Sequence, residues 1–291
     1  MVFGEPALAT AIDLRTKATL SPSKRWRVNH GPISNPRQKY VKAAVEISKM
    51  AGPMDVEIES QIPEGSGMGS SAAVTVAVLG ALNSVKDDFK AETVAIEAFD
   101  VEHTVQGRAS PIDTSTSAHG RAVLVLRRKD SRFLWQINRG DRSWFLHHRD
   151  IPQMHLVVGY TGIVGETGPL VAKVKEYAEK SKKARDMISE IGQITIAALE
   201  AIGEENYERV GSLMTRNHIL LNALGVGHPF LDALVKAVEP YSWGAKLTGA
   251  GGGGSMIALT ERPAETAKAI EAAGGKAFKV RVGARGMEVM R

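Results

Sequence analysis

The sequence predicts an α+β fold in two domains, and three observations carry that expectation. Its 291 residues exceed what one average domain needs. Strand and helix patterns follow one another without regular βαβ alternation, which argues against a doubly wound parallel sheet. The second half reads as a long helical tract followed by a β-β-α-β ending.

Taken in order, residues 6–20 read as strand and residues 37–51 as helix. "DVEIESQI" at 55–62 alternates cleanly between apolar and polar, the period of a half-buried strand. Residues 70–84 are apolar on all sides, so that helix is expected to be buried. Residues 91–106 form an amphipathic helix with Val94, Ala98, Val101 and Val105 on one stripe, closed by Gly107 at a C′ position. Beyond it, Pro111 prevents that helix from continuing. "AVLVLRR" and "FLWQI" read as a strand pair. A boundary near residue 150 gives domains 1–150 and 151–291. The second opens with the strand "MHLVVGYT". A helical tract over 167–240 follows, broken near Gly203 and at 225–229. Then come "AKLTG", "GSMIAL", a helix at 263–273 and "KAFKVRV".

Composition narrows the class. Hydrophobic content of 43% and charged content of 24% are those of an ordinary soluble globular chain. No apolar run reaches the length of a membrane span. "MVFGEPALAT" lacks the basic and apolar regions of a signal peptide. Zero cysteines exclude disulfides, iron–sulfur clusters and cysteine-ligated zinc, and suit a reducing compartment, so a cytoplasmic location is expected. The net charge of +5 is scattered over "RTK", "RR" and "KSKKAR", and aromatics are only 5%. No nucleic-acid platform and no membrane partner are expected; a mild positive field suits an anionic small molecule.

The motifs concentrate on glycine. "PEGSGMGSSAAVTVAVLG", residues 63–80, sets three glycines and three serines directly before the apolar helix. Such a loop lets backbone N–H groups approach an anion, and the helix N-terminus adds unpaired donors and a positive dipole end. Ser70 and Ser71 stand where N-cap hydroxyls stand. The alternative is a tight turn that only caps a helix. A Walker A loop is excluded, because Gly-Ser-Ser replaces Gly-Lys-Ser/Thr. A G-x-G-x-x-G fingerprint is excluded because position 70 is Ser. "HRD" at 148–150 lacks the other elements of a protein-kinase loop. A second cluster, "TGAGGGGS" at 248–255, holds far more glycine than a hairpin needs and implies close backbone approach to a ligand or to the first loop.

The carboxylates come third. Glu102 lies one turn before its helix ends, and Asp113 follows "ASP". Magnesium on a nucleotide takes one or two carboxylates and a hydroxyl, which Glu102 and Ser71 could supply. Asp113 could take an acceptor's proton or hold its hydroxyl in line. A merely solvated charge is the alternative for either acid. The histidines show no zincin spacing. His147 and His148, being adjacent, cannot face one metal from one strand side and are expected at a surface or interface.

These motifs together resemble those of the GHMP kinases (galacto-, homoserine, mevalonate and phosphomevalonate kinases). "PEGSGMGSSAA" is similar to their P-x-x-x-G-L-G-S-S-A-A motif, and residues 248–255 to their glycine-rich third motif. "EHTVQGRASPIDTSTSAHG", "GYTGIVGETGPLV" and "NHILLNALGV" resemble the archaeal mevalonate kinases in particular. The resemblance implies a ribosomal protein S5 domain 2-like N-terminal domain and a ferredoxin-like C-terminal domain. It implies ATP and Mg2+ as cofactors, and phosphorylation of mevalonate to 5-phosphomevalonate in isoprenoid biosynthesis. The alternatives are another isoprenoid kinase of the superfamily, such as phosphomevalonate kinase, or a nucleotide-binding homologue without catalysis. By position, Pro63, Gly65, Ser66, Gly67, Met68, Gly69, Ser70, Ser71 and Ala72 would wrap the phosphates. Ser71 and Glu102 would hold the metal, and Asp113 would act on the acceptor. Thr167 and Ala250 would line the acceptor site, supported by Gly249, Gly251 and Gly252. A homodimer stays open. One departure stands out: members open with a strand carrying A-P-G-K and a Glu-His pair, whereas this chain opens "MVFGEPALAT". The expectation is that Met1 is an internal start, with roughly twenty residues upstream.

Overall fold

Three four-stranded sheets organise the computed structural model, which describes residues 3–35, 38–107, 109–165 and 167–290, the side chain of Thr167 excepted. The first half runs β1 (Ala7–Thr10), β2 (Thr16–Pro22), β3 (Arg27–Val28), β4 (Gly31–Pro32), α1 (Lys39–Ser48), β5 (Met54–Ser60), α2 (Ser70–Val85), α3 (Ala91–Gln106), α4 (Pro111–His119), β6 (Ala122–Leu126), β7 (Phe133–Arg139) and β8 (Arg142–Arg149). The second half runs β9 (His155–Tyr160), α5 (Thr167–Lys180), α6 (Lys182–Gly203), α7 (Tyr207–Ala223), α8 (Pro229–Val238), β10 (Gly244–Thr248), β11 (Ser255–Leu259), α9 (Pro263–Ala272) and β12 (Lys276–Arg281). Strand orders are β1-β6-β8-β7, β2-β5-β3-β4 and β10-β11-β9-β12. The expected β-β-α-β ending is β10, β11, α9, β12, all antiparallel in one sheet with β9.

The apolar helix is buried as its composition requires. Val78, Leu79 and Leu82 of α2 are fully enclosed, and α1, α3 and β2 pack around it. Each such side chain contributes about 1.5–3 kcal/mol. That offsets the roughly 0.5–1 kcal/mol which each ordered glycine in the preceding loop costs. Gly107 closes α3 as expected, with φ 71° and its N–H donating to the His103 carbonyl at 2.8 Å.

Several expectations are corrected. The strand at 6–20 is two strands in different sheets, separated by residues 11–15. "AVLVLRR" and "FLWQI" do not pair; both pair with β8, a strand whose Arg- and His-rich sequence hid its alternation. Pro111 ends nothing: it occupies the first turn of α4, where a missing N–H costs no bond, and Ser110 Oγ caps the helix by accepting from the Ile112 N–H at 3.3 Å. The helical tract breaks additionally at Ser181, which caps α6. His147 is not at a surface; it is fully buried, its Nδ1 3.3 Å from the Leu124 carbonyl oxygen.

After β12 the chain returns to the first half. Ala284 N–H donates to Ala11 O at 3.2 Å, Arg121 N–H to Ala284 O at 2.7 Å and Met287 N–H to Ala118 O at 3.1 Å. A Cβ on Gly286 would stand 2.3 Å from Ala118 O, so glycine is what lets this strap lie against the end of α4. Between the halves opens a cleft of about 1220 Å³, bordered by β1, β2, α2, the start of α4, β10 and this C-terminal strap.

Candidate active site

The loop before α2 is built from left-handed glycines: φ is 67° at Gly65, 74° at Gly67 and 71° at Gly69. Only glycine adopts this conformation repeatedly without strain. The second glycine loop lies directly on it. A Cβ on Gly67 would meet Thr248 O at 3.2 Å, one on Gly249 the Gly67 Cα at 3.0 Å, and one on Gly254 the Ser66 O at 3.1 Å. Ser255 Oγ donates to Ser66 O at 2.7 Å. A third loop, 161–165, completes the junction. Both the N–H and the Oγ1 of Thr161 donate to Gly254 O, and Gly254 N–H donates to Ile163 O at 2.7 Å. Val164 lies where a Cβ on Gly65 would be, 2.7 Å from its Cγ1. Three backbone-lined loops therefore meet at the N-terminus of α2, with amide donors and a positive helix end at one place.

Contrary to expectation, the serines do not cap the helix. Gly69 is the N-cap of α2 and no side chain caps it. Ser70 is the first helical residue. Ser71 Oγ instead donates to Glu102 Oε1 at 2.6 Å, crossing from α2 to α3. Glu102 is only 4% exposed. Burial pushes its carboxyl up to about 7, against the lowering pull of the Ser71 hydrogen bond, and the Asp113 charge adds to the rise. Asp113, in the first turn of α4, places its Cβ 3.8 Å from where a Cβ on Gly69 would stand. Its side chain opens to the cleft, yet the walls around it hold the carboxyl above the ordinary carboxylate range. Two acids and a hydroxyl thus converge beside the glycine loop. Hard oxygen donors with this much uncompensated charge fit magnesium completed by phosphate and water oxygens. An all-protein metal cage is not what they form: among the described residues no group of three or more His, Cys, Asp or Glu could hold an ion.

The remaining expected residues divide. Gly67, Met68, Gly69 and Gly249 line the cleft. Pro63 and Gly65 sit in the first loop, and Ser66 Oγ is buried there with no hydrogen-bond partner. An unpaired buried hydroxyl costs about 1–3 kcal/mol, a deficit that a bound group could remove. Ala72 is fully buried, leaving only its backbone for a ligand. Ala250 is partly exposed in the second loop. Gly251 and Gly252 turn toward the scaffold: a Cβ on Gly251 would lie 2.0 Å from Val226 O, and one on Gly252 2.7 Å from Leu170 Cδ1. Thr167 begins α5; its side chain lies outside the described residues.

Lys246 is the residue that motif reading missed. It sits on β10 and lines the same cleft as Asp113, Gly67 and Gly249. Burial lowers its ammonium to about 8, and among the described residues it has neither an ion pair nor a hydrogen bond. The signal was present: one cation between Ala245 and Leu247, in an otherwise apolar strand leading into the glycine cluster.

Residues 39–121 match the GHMP kinases N terminal domain and residues 198–280 the GHMP kinases C terminal domain. A mevalonate kinase of Thermococcus sibiricus is 36% identical over 99% of this chain and 93% of its own length. One of Methanothermobacter thermautotrophicus is 35% identical over 89% of this chain and 84% of its own. In fold, the chain is similar to L. major mevalonate kinase in complex with R-mevalonate, with TM-score 0.81 at 23% identity over 98% of this chain and 93% of that one. It also resembles Streptococcus pneumoniae phosphomevalonate kinase, with TM-score 0.76 at 18% identity over 96% and 94%.

Proposed function

Because the chain belongs to the GHMP kinases, we propose that it transfers the γ-phosphoryl group of ATP to the terminal hydroxyl of mevalonate, giving 5-phosphomevalonate for isoprenoid biosynthesis. The observation that carries the reading is the junction of the two glycine loops beside the Ser71–Glu102 pair and Asp113. Near-full-length similarity to mevalonate kinases supports this choice of acceptor.

In this reading the backbone of residues 63–72 and the N-terminus of α2 hold the triphosphate. Ser71 Oγ and the Glu102 carboxylate hold Mg2+, which would screen the phosphate charge when bound. Glu102 must be ionised for that, and the cation supplies the opposite charge its buried site lacks. Asp113 accepts the acceptor's hydroxyl proton or aligns its oxygen with the γ-phosphorus; its raised proton affinity suits a base that keeps the proton it takes. Lys246 meets the acceptor's carboxylate, the anion that an unpaired, partly buried ammonium lacks. Residue 150 serves as the boundary between an ATP-binding and a C-terminal domain. The partners are small molecules, without nucleic acid or membrane.

A coupled ADP assay with mevalonate, phosphomevalonate, homoserine and galactose tests the assignment. Turnover is expected with mevalonate. Asp113→Asn is expected to lose about 10²–10⁴ in kcat while ATP still raises the melting temperature. No turnover of mevalonate alongside turnover of another acceptor overturns the choice of substrate.

A further inference from the structure

β10 is an edge strand. It pairs with β11 on one side, and on the other it meets α7. Two of their contacts lie seven residues apart along α7, hence on the same helix face. At the first, backbone meets backbone: a Cβ on Gly244 would lie 2.0 Å from Gly211 O. At the second, the Leu247 N–H, on a residue with no exposed surface, points away from β11 and donates to His218 Nδ1 at 3.2 Å. Without that nitrogen the amide would be a buried orphan.

This bond settles the imidazole tautomer. Nδ1 accepts, so the ring proton is on Nε2, which lies 3.0 Å from Asp232 Oδ1 in the first turn of α8; Asn222 Nδ2, 3.3 Å from the same Nε2, then cannot donate to it. Asn222 Nδ2 donates to the same carboxylate oxygen at 2.7 Å. His218 is 6% exposed, and among the described residues the charged groups that face it are Asp232 from α8 and Lys246 from β10. The tethered residue stands between two that matter for the cleft. Lys246 precedes it, and Thr248 follows with its carbonyl against the first glycine loop.

We propose that the Asp232–His218 pair is a positioning device for the acceptor end of the cleft: the imidazole, held as one tautomer, pins the β10 edge at Leu247 and so places Lys246 and the loop 248–255. The inference rests on the acceptor role proposed above for that end. It carries a sign for pH. A second proton would have to enter at Nδ1, where it would oppose the Leu247 N–H, donor against donor. Burial lowers the proton affinity of His218, Asp232 opposes this, and the Lys246 charge adds to the lowering. The tether therefore holds at neutral pH and is released in acid.

The test uses the full chain, wild type and two variants. His218→Asn sets an amide oxygen near the place of Nδ1 and cannot titrate; His218→Leu offers no acceptor. Imidazole ¹⁵N resonances should show the Nε2–H tautomer in the wild type, and hydrogen exchange at the Leu247 amide should accelerate in His218→Leu. With mevalonate, His218→Leu should raise the acceptor KM about tenfold, the worth of one buried hydrogen bond, while the ATP KM stays within about twofold. His218→Asn should keep a near-wild-type acceptor KM at neutral pH and lose its rise in acid. An Nδ1–H tautomer, unchanged Leu247 exchange in His218→Leu, or an acid limb that persists in His218→Asn overturns the proposal. The spectroscopic and exchange readouts need no turnover. If wild type fails to phosphorylate mevalonate while they come out as expected, it is the acceptor assignment that falls, and the tether stands.

Discussion

Glu102 shows how one buried atom pair couples structure to chemistry. Its carboxyl titrates near 7 in the folded chain, against an ordinary value of 4.5. A carboxyl raised by folding destabilises the fold when it ionises. Stability is therefore greatest below the ordinary value and falls as pH rises from about 4.5 to about 7, by at most about 3 kcal/mol. In the site proposed above, magnesium would need the ionised form, so metal affinity is expected to have the opposite slope. Titration of magnesium against ATP-bound protein should show affinity rising up to about tenfold per pH unit below 7 and levelling above it. Glu102→Gln should abolish that slope and raise the melting temperature at pH 8 in the absence of metal. A magnesium affinity flat across this range would remove Glu102 from the site. Residue type singled out Ser71, Glu102 and Asp113 in the sequence, and the structure brings them together beside the first glycine loop. The Ser71–Glu102 hydrogen bond was not, because it joins residues thirty-one apart on different helices.

At the scale of elements, the glycine loop and the apolar helix behind it act as one unit. Helix α2 is anchored by core side chains, and its N-terminus is thereby held facing the cleft. Gly67→Ala should do more than its size suggests: the residue has φ 74° and its Cβ would press on Thr248 O at 3.2 Å. Thermal melting with and without ATP should show a loss of about 1 kcal/mol in stability and a disproportionate loss of the ATP-induced shift. Leu79→Ala, in the core behind the loop, should cost about 2–5 kcal/mol of stability while leaving the ATP shift intact in the folded fraction. Equal ATP shifts in both variants would separate the loop from the nucleotide. Helix α2 was readable because its pattern is local. β8 and α4 were missed, because histidines and arginines masked an alternation and because Pro111 signals a stop and a start equally well.

Over the whole molecule, the strap after β12 joins what the chain order separates. Its backbone bonds to Ala11, Ala118 and Arg121 tie the last residues to the first sheet and to the end of α4, the helix that carries Asp113. Met287 adds apolar contact with the first-half core. Removing residues 283–291 should lower the melting temperature and split the calorimetric transition into two. The Asp113-dependent rate should fall with it, because α4 loses its support. A single unshifted transition in the truncated chain would show that the halves are coupled elsewhere.

The sequence by itself determined most of the elements, among them α2, α3 and the β-β-α-β ending, and where glycine must stand. These follow from hydrophobic period and backbone sterics, which act over a few residues. The tertiary structure alone decided that the approach expected of the second glycine loop is made to the first, that Lys246 enters the cleft and that His218 Nδ1 accepts from Leu247 on the edge of β10. Those contacts join residues far apart in the chain, and only packing of whole elements against one another selects them. No pattern within a short window of sequence records where such packing brings distant atoms together.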